Sequence, residues 1–355
     1  MSRPIHQPIH PSIRPLLDPE YVAFHDAHFQ YILPDEQQPW SRSKHISTPL
    51  PWPSTAHPLT PVASTRDLTL TLPLENNGTT TTTFPIRIFT PPSPKPSQGY
   101  PLFLWFHGGG WALGGLSDGN DLCTMICAVA RCVVVSVAYR LAPEHPYPAA
   151  ITDAVAALQW ASSPAGSSTL STNPAQIAIG GTSAGGNIAA VLSLKASQLT
   201  PAFPLRAQIL IVPVIDNTAT TGTIWAKNQL APWLTPQRML WYRAMYLPNN
   251  PSDAGDWAAS PNLAPRALLA KTPRTWIAVS GCDLLAPEAE AFAGLLEGAW
   301  KGEGVDCVRK YRIWKVLFIE CVFVGKVRWS LLSITDIAKY AVLKYEGATR
   351  VHGSR

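Results

Sequence analysis

The chain has no apolar run of 18 or more residues, so it offers no candidate for a membrane-spanning helix. Its first residues, Met1-Ser-Arg-Pro-Ile-His6, lack the apolar core of a secretory signal. Together these absences predict a cytoplasmic protein without a membrane span. Charge is sparse as well: 14% of residues are charged against 46% hydrophobic, the balance of a globular chain able to bury a substantial core. The net charge of +5 is localised, because residues 301–355 hold eleven Lys and Arg against five Asp and Glu, and the first 300 hold seventeen against eighteen. With no basic excess in the main body, nucleic acid is not indicated as a partner. None of the six cysteines forms a C-x-x-C pair. Cys123, Cys127 and Cys132 fall in or beside one apolar helix-like stretch, as buried thiols do. His6, His10, His25, His28, His45 and His57 lack the spacing and accompanying acids of a metal site.

What is present begins with Gly181-x-Ser183-x-Gly185. Gln176–Gly180 is a short apolar run that reads as a buried strand, and Asn187–Lys195 reads as a helix ending before Pro201. Strand, glycine turn with serine, then helix is the order of a nucleophile elbow, which lifts a serine hydroxyl above the end of a parallel sheet. The alternative is a plain glycine-rich strand-to-helix turn. A second glycine cluster, His107-Gly108-Gly109-Gly110-Trp111, follows the apolar strand Pro101–Phe106. Successive glycines present several backbone N–H groups at one point, as an enzyme needs to hold a developing oxyanion. Gly109, Gly110 and Ala184 are the expected donors. A phosphate-cradling loop fits poorly, since no Gly-Lys-Ser/Thr follows.

Around these clusters the pattern is alternating strand and helix. Asp67–Leu72 alternates strictly and pairs with Phe84–Phe89 through a turn at Asn76–Gly78, a hairpin at the sheet edge. Continuous apolar runs at 101–106 and 132–138, helical stretches at 118–131 and 148–161, and further strands at 207–212 and 275–280 predict an α/β fold with a mostly parallel sheet covered on both faces. Asp18 and Pro19 open a helix in the N-terminal segment. Residues 216–265 interrupt the pattern with a segment dense in Trp, Tyr and Met, containing a helix capped by Thr235. Placed after a strand's carboxyl end, it reads as a lid over the site, the alternative being a helix simply packed on the sheet.

Beside His107–Gly110 and Gly181–Gly185, the chain carries Tyr139-Arg-Leu-Ala-Pro-Glu-His-Pro-Tyr-Pro-Ala149, Ala231-Pro-Trp-Leu-Thr235 and Ala259-Ser-Pro261. In these motifs, from about Asp18 to about Val305, it resembles the hormone-sensitive lipase family of α/β-hydrolases, which includes bacterial and fungal carboxylesterases. The resemblance implies one α/β-hydrolase domain over 1–355, with an eight-stranded, mostly parallel sheet and helices on both faces. Cap elements would come from about 1–65 and 216–265. It also implies no metal or organic cofactor, and hydrolysis of a small-molecule carboxylic ester. By its order of triad residues Ser183 is the nucleophile and Asp283 the acid. A surface Asp capping the next helix is the alternative for Asp283, and Glu288 is the fallback acid. Trp111, Trp233, Trp241 and Tyr242, with Trp225, are the aromatic residues expected to shape the substrate pocket.

The C-terminal segment departs from the family. Residues of about 306–341 carry no family-like pattern and read as an insert, such as a translated intron, which a spliced message encoding all of them would exclude. Beyond it Tyr345 and Gly347 match the family, but Arg350 occupies the histidine's place and His352 follows two residues later. No other histidine follows His145, so His352 is the expected base. Two rival functions stay open: a small-molecule-binding protein without turnover, like the plant hormone receptor of the same family, and a tailoring hydrolase acting on amides, thioesters or lactones.

Overall fold

The computed structural model describes residues 3–42, 59–73, 81–200 and 202–300, with the backbone of 312–314. The turn at Asn76–Gly78, His45, His57, Cys307, Cys321, the insert at 306–341 and the terminal Tyr345, Gly347, Arg350 and His352 lie outside the described residues, strand 312–314 excepted.

Among the described residues eight strands form one sheet: β1 (Ser64–Pro73), β2 (Thr81–Thr90), β3 (Tyr100–Phe106), β4 (Val133–Val137), β5 (Thr172–Thr182), β6 (Ala207–Ile211), β7 (Arg274–Ser280) and β8 (Arg312–Trp314). Their order is β1-β2-β4-β3-β5-β6-β7-β8. The first two form an antiparallel hairpin at the edge, β2 runs antiparallel to β4, and every pairing from β4 through to β8 is parallel. The apolar runs make the central strands because both sheet faces are covered, so every position must be buried. Alternation sorts them by face. Leu102, Leu104, Phe106, Val133, Val135 and Val137 point into one core, and Phe103, Trp105 and Val134 into the other.

The first core packs helices α3 (Ala149–Ser162), α5 (Ala184–Ala196) and α8 (Ala286–Trp300); the second packs α2 (Asn120–Ala130) together with α1 (Pro19–Ala27). Cys123 and Cys127 of α2 and Cys132 just after it are buried thiols in that second core, and burial pushes all three upward, Cys127 to about 12. The expected caps are in place. Asp18 accepts from the Glu20 N–H at 2.7 Å, and Thr235 accepts from the Arg238 N–H at 3.2 Å at the start of α6 (Pro236–Tyr246). One helix, α4 (Pro164–Leu170), was not expected from its Gly- and Ser-rich composition, although Ser163 caps it and Pro164 opens it; α7 (Arg266–Leu269) is a single turn. Among the described residues no helix is long and apolar enough to cross a membrane.

Candidate active site

Ser183 lies between β5 and α5 with φ 56° and ψ −118°, a conformation that costs an L residue of order 1–3 kcal/mol and persists only where its surroundings enforce it. They do so from three sides. Its N–H donates to the Ile211 carbonyl at 2.9 Å, and its own carbonyl accepts from Asn187 N–H at 3.0 Å and Val214 N–H at 3.2 Å. The flanking glycines are needed for close approach: a Cβ on Gly181 would stand 2.7 Å from the Phe106 oxygen, and one on Gly185 would stand 2.5 Å from the Phe106 carbonyl carbon. The sharp elbow expected from the sequence is therefore the local geometry, in place of a plain turn.

Strand register brings the second glycine cluster to the same place. Phe106 at the end of β3 pairs with Gly181 at the end of β5, so the loop that follows β3 begins beside the serine. Gly109 and Gly110 have φ 108° and 59°, values that glycine adopts without penalty. No turn, loop or cap hydrogen bond among the described residues engages the N–H of Gly109, Gly110 or Ala184. The loop is braced from below, where His107 stacks on Tyr139 at 4.4 Å and the Tyr139 hydroxyl donates to the His107 carbonyl at 2.8 Å. Burial lowers the His107 pKa, so this ring stays neutral as a structural support. Arg42 donates to the Ala112 carbonyl and, at 2.7 Å, to that of Ala142.

Helix α6 lies against this loop. A Cβ on Gly110 would fall 2.7 Å from Cδ2 of Tyr242 and closer to other atoms of that ring. Trp111 is wholly buried and stacks on Tyr246, with centroids 4.2 Å apart and planes 6° apart. Trp241 packs on Tyr242 at 5.0 Å and on Trp40 of the N-terminal segment at 5.8 Å. Trp233 faces Phe29 at 4.4 Å and carries the Arg238 guanidinium over its ring at 4.4 Å. Arg238 is itself buried, bonded to Glu36 Oε2, Gln7 Oε1 and the Trp233 carbonyl, each at 2.9 Å. This buried cation joins the N-terminal segment to the segment inserted after β6, and no local pattern in the sequence announced it.

Asp283 follows β7 and is 1% exposed, so it is no surface helix cap. Its Oδ1 accepts from the Leu285 N–H at 2.8 Å, and its Oδ2 is buried with no partner among the described residues. Burial pushes this carboxyl up to about 7, and a cationic partner at the free oxygen would bring it down again. Glu288, the fallback acid, has both oxygens occupied. Oε1 accepts from Ile215 N–H at 2.7 Å and Oε2 from Trp225 Nε1–H at 2.8 Å. Burial pushes it up to about 8 against those donors. Its role is structural. No three His, Cys, Asp or Glu side chains converge to hold a metal ion among the described residues.

A doubly covered, mostly parallel sheet, with a strained serine and a glycine loop at the ends of neighbouring strands, defines a hydrolase of the α/β class. The α/β-hydrolase fold family model matches residues 103–311, and the chain belongs to that family. It is 41% identical to an AB hydrolase superfamily protein of Schizosaccharomyces pombe, over 80% of this chain and 83% of that protein. It is 39% identical to the carboxylic ester hydrolase LipN of Mycobacterium tuberculosis, over 60% of this chain and 56% of the relative. Among solved structures, a hyperthermophilic esterase from the archaeon Pyrobaculum calidifontis superposes with a TM-score of 0.65 at 28% identity, covering 79% of this chain and 84% of that one.

Proposed function

We propose that this protein hydrolyses carboxylic esters of small or medium acyl chain, or an ester of secondary metabolism, through an acyl-enzyme on Ser183. The observation that carries the reading is the strained serine held beside the His107–Trp111 loop, whose N–H groups and that of Ala184 have no partners among the described turns and caps. In the proposed reaction Ser183 Oγ attacks the ester carbonyl carbon as its proton passes to the base. The carbonyl electrons move onto oxygen, which Gly109, Gly110 and Ala184 hold by backbone N–H donation. Collapse expels the alcohol, which takes the proton from the base; water then repeats the sequence and releases the acid. Asp283 orients the base and stabilises its cation, and its buried free oxygen supports that role. His352 takes the part of base in this reading, as the one histidine that follows Asp283.

The N-terminal segment and residues 216–265 together form the cap, and the Arg238–Glu36 pair supports this assignment. Trp241 and Tyr242 shape the substrate pocket at the oxyanion loop, backed by Trp111 and Trp233. The LipN relationship supports esters as the substrate class. The test is hydrolysis of p-nitrophenyl esters from acetate to decanoate by the 355-residue chain, Ser183→Ala and His352→Ala. Loss of either group is expected to cost ~10⁴–10⁶ in turnover. Turnover indifferent to Ser183→Ala would refute the assignment of the nucleophile. Turnover indifferent to His352→Ala would refute that of the base, and ligand binding without any turnover would favour the receptor-like alternative.

A further inference from the structure

Asn228 ends the 3-10 turn Ile224–Asn228, in the segment inserted after β6. Its side-chain Nδ2 donates to the Gly281 carbonyl at 3.0 Å and to the Asp283 carbonyl at 2.5 Å. Three residues earlier Trp225 donates to Glu288 Oε2 at 2.8 Å, and Oε1 of that carboxylate accepts from Ile215 N–H at 2.7 Å and Asp216 N–H at 3.4 Å. The Arg243 guanidinium covers the Trp225 ring at 4.6 Å and donates to the Ala219 carbonyl at 2.9 Å. One turn of the inserted segment is thus stitched to the chain both at Asp283 and five residues beyond it.

The loop itself has few other restraints. Asp283 N–H donates to the Ser280 carbonyl at 3.0 Å and Ala286 N–H to the Asp283 carbonyl at 3.2 Å. Among the described residues the carboxylate receives one bond, from Leu285 N–H, and the neighbouring Cys282 is only half-buried. A single amide bridging the carbonyls on either side of Cys282 fixes both peptide planes. Rotation about Asp283 would break one of those bonds, so the direction of its side chain depends on them. We infer that Asn228 is a positioning residue for Asp283, with the Trp225–Glu288 bond holding Asn228 in place, so that the inserted segment aims the acid from outside the sheet. The inference rests on the role of Asp283 proposed above.

The role is separable from simple anchoring of the inserted segment. Anchoring alone would act on substrate binding, whereas a misaimed acid acts on turnover and on the basicity of the imidazole it supports. Asn228→Leu keeps a similar volume and removes the two donated bonds without adding a charge. With p-nitrophenyl butyrate and the full chain, its kcat is expected to fall at least about tenfold with KM within about twofold. The acid limb of kcat/KM is expected to move down by about half a unit to one unit, since the imidazolium loses its anion. Trp225→Phe should move both readouts the same way, less far. A raised KM with unchanged kcat and pH limb would overturn the inference while leaving the esterase reading intact. Amide hydrogen exchange supplies a readout that needs no turnover. Residues 281–286 are expected to exchange about tenfold faster in Asn228→Leu, with β3 and β4 unchanged, and unaltered exchange there would also overturn it. Failure of the esterase reading is seen separately, as a wild-type chain that neither turns over esters nor reacts with a fluorophosphonate at Ser183.

Discussion

A methyl group at position 185 would test how closely the elbow and the proposed oxyanion loop must lie. Gly185 is the second residue of α5, and its added Cβ would stand 2.5 Å from the Phe106 carbonyl carbon and closer to the oxygens of Phe106 and His107. All three are backbone atoms, so no side chain can swing aside. Non-bonded carbons pack at about 3.5–4.0 Å, so the end of β3 and the start of α5 must part by about 1 Å in Gly185→Ala. Phe106 and His107 lead directly into Gly108–Gly110, and Ser183 lies two residues before the substitution. The same displacement therefore separates Ser183 from the donors of the glycine loop. Oxyanion donors work at about 2.7–3.1 Å, and losing one costs about 10²–10³ in turnover. Gly185→Ala is accordingly expected to lose about 10²-fold in kcat with KM little changed, because the oxyanion exists only after attack. Overpacking should also cost about 1–3 kcal/mol of stability. Gly186→Ala is the control, since its Cβ would meet Pro213 Cβ at 2.9 Å, away from the oxyanion loop. Steady-state kinetics on the two folded variants decide the matter. A Gly185→Ala enzyme within threefold of wild-type kcat, about 0.7 kcal/mol in barrier, would refute the reasoning.

Two further perturbations follow from buried charges. Glu288 has its pKa raised from 4.5 to about 8 by burial. Between those values the folded chain holds a proton that the unfolded chain has released, so this group's contribution makes stability fall as pH rises through that window. Glu288→Gln should flatten that part of the stability–pH curve, an effect on the order of a few kcal/mol, in urea melts from pH 4 to 9. An unchanged curve would refute the buried-acid account. Arg238→Ala strands the largely buried Glu36 carboxylate, and breaking such a pair costs about 3–5 kcal/mol. Arg238→Ala combined with Glu36→Gln should recover part of the loss in thermal or urea unfolding, and strict additivity would argue against a coupled pair.

The sequence exposed those parts of the site that depend on neighbours along the chain. Gly181–Gly185 and His107–Trp111 were legible because a tight turn demands its glycines locally, and Asp18 and Thr235 because a helix cap acts within three residues. The central strands were legible as continuous apolar runs. Long-range pairings were not. Arg238 meets Glu36 and Gln7 from far along the chain, and Asn228 reaches Gly281 and Asp283 across the inserted segment and β7. Nothing in the residues around Asn228 distinguishes it from any polar surface residue. Glu288 drew notice as a spare acid, yet its burial and its three N–H donors became visible only with the fold. Helix α4 opens with a capping residue and a proline, Ser163-Pro164, as α1 does with Asp18-Pro19 and α6 with Thr235-Pro236, but its Gly and Ser content masked it.

The contact between Tyr242 and Gly110 has a consequence for altering selectivity. The phenol ring occupies the volume that a side chain at 110 would need, so the two positions behave as one site shared between helix and loop. A larger residue at 110 requires a smaller one at 242, and trimming 242 alone leaves a void directly beside the amide of Gly110. If the loop and ring act as proposed, variant libraries for new acyl groups should exchange the pair together, since changing either partner singly alters the glycine loop beside Ser183.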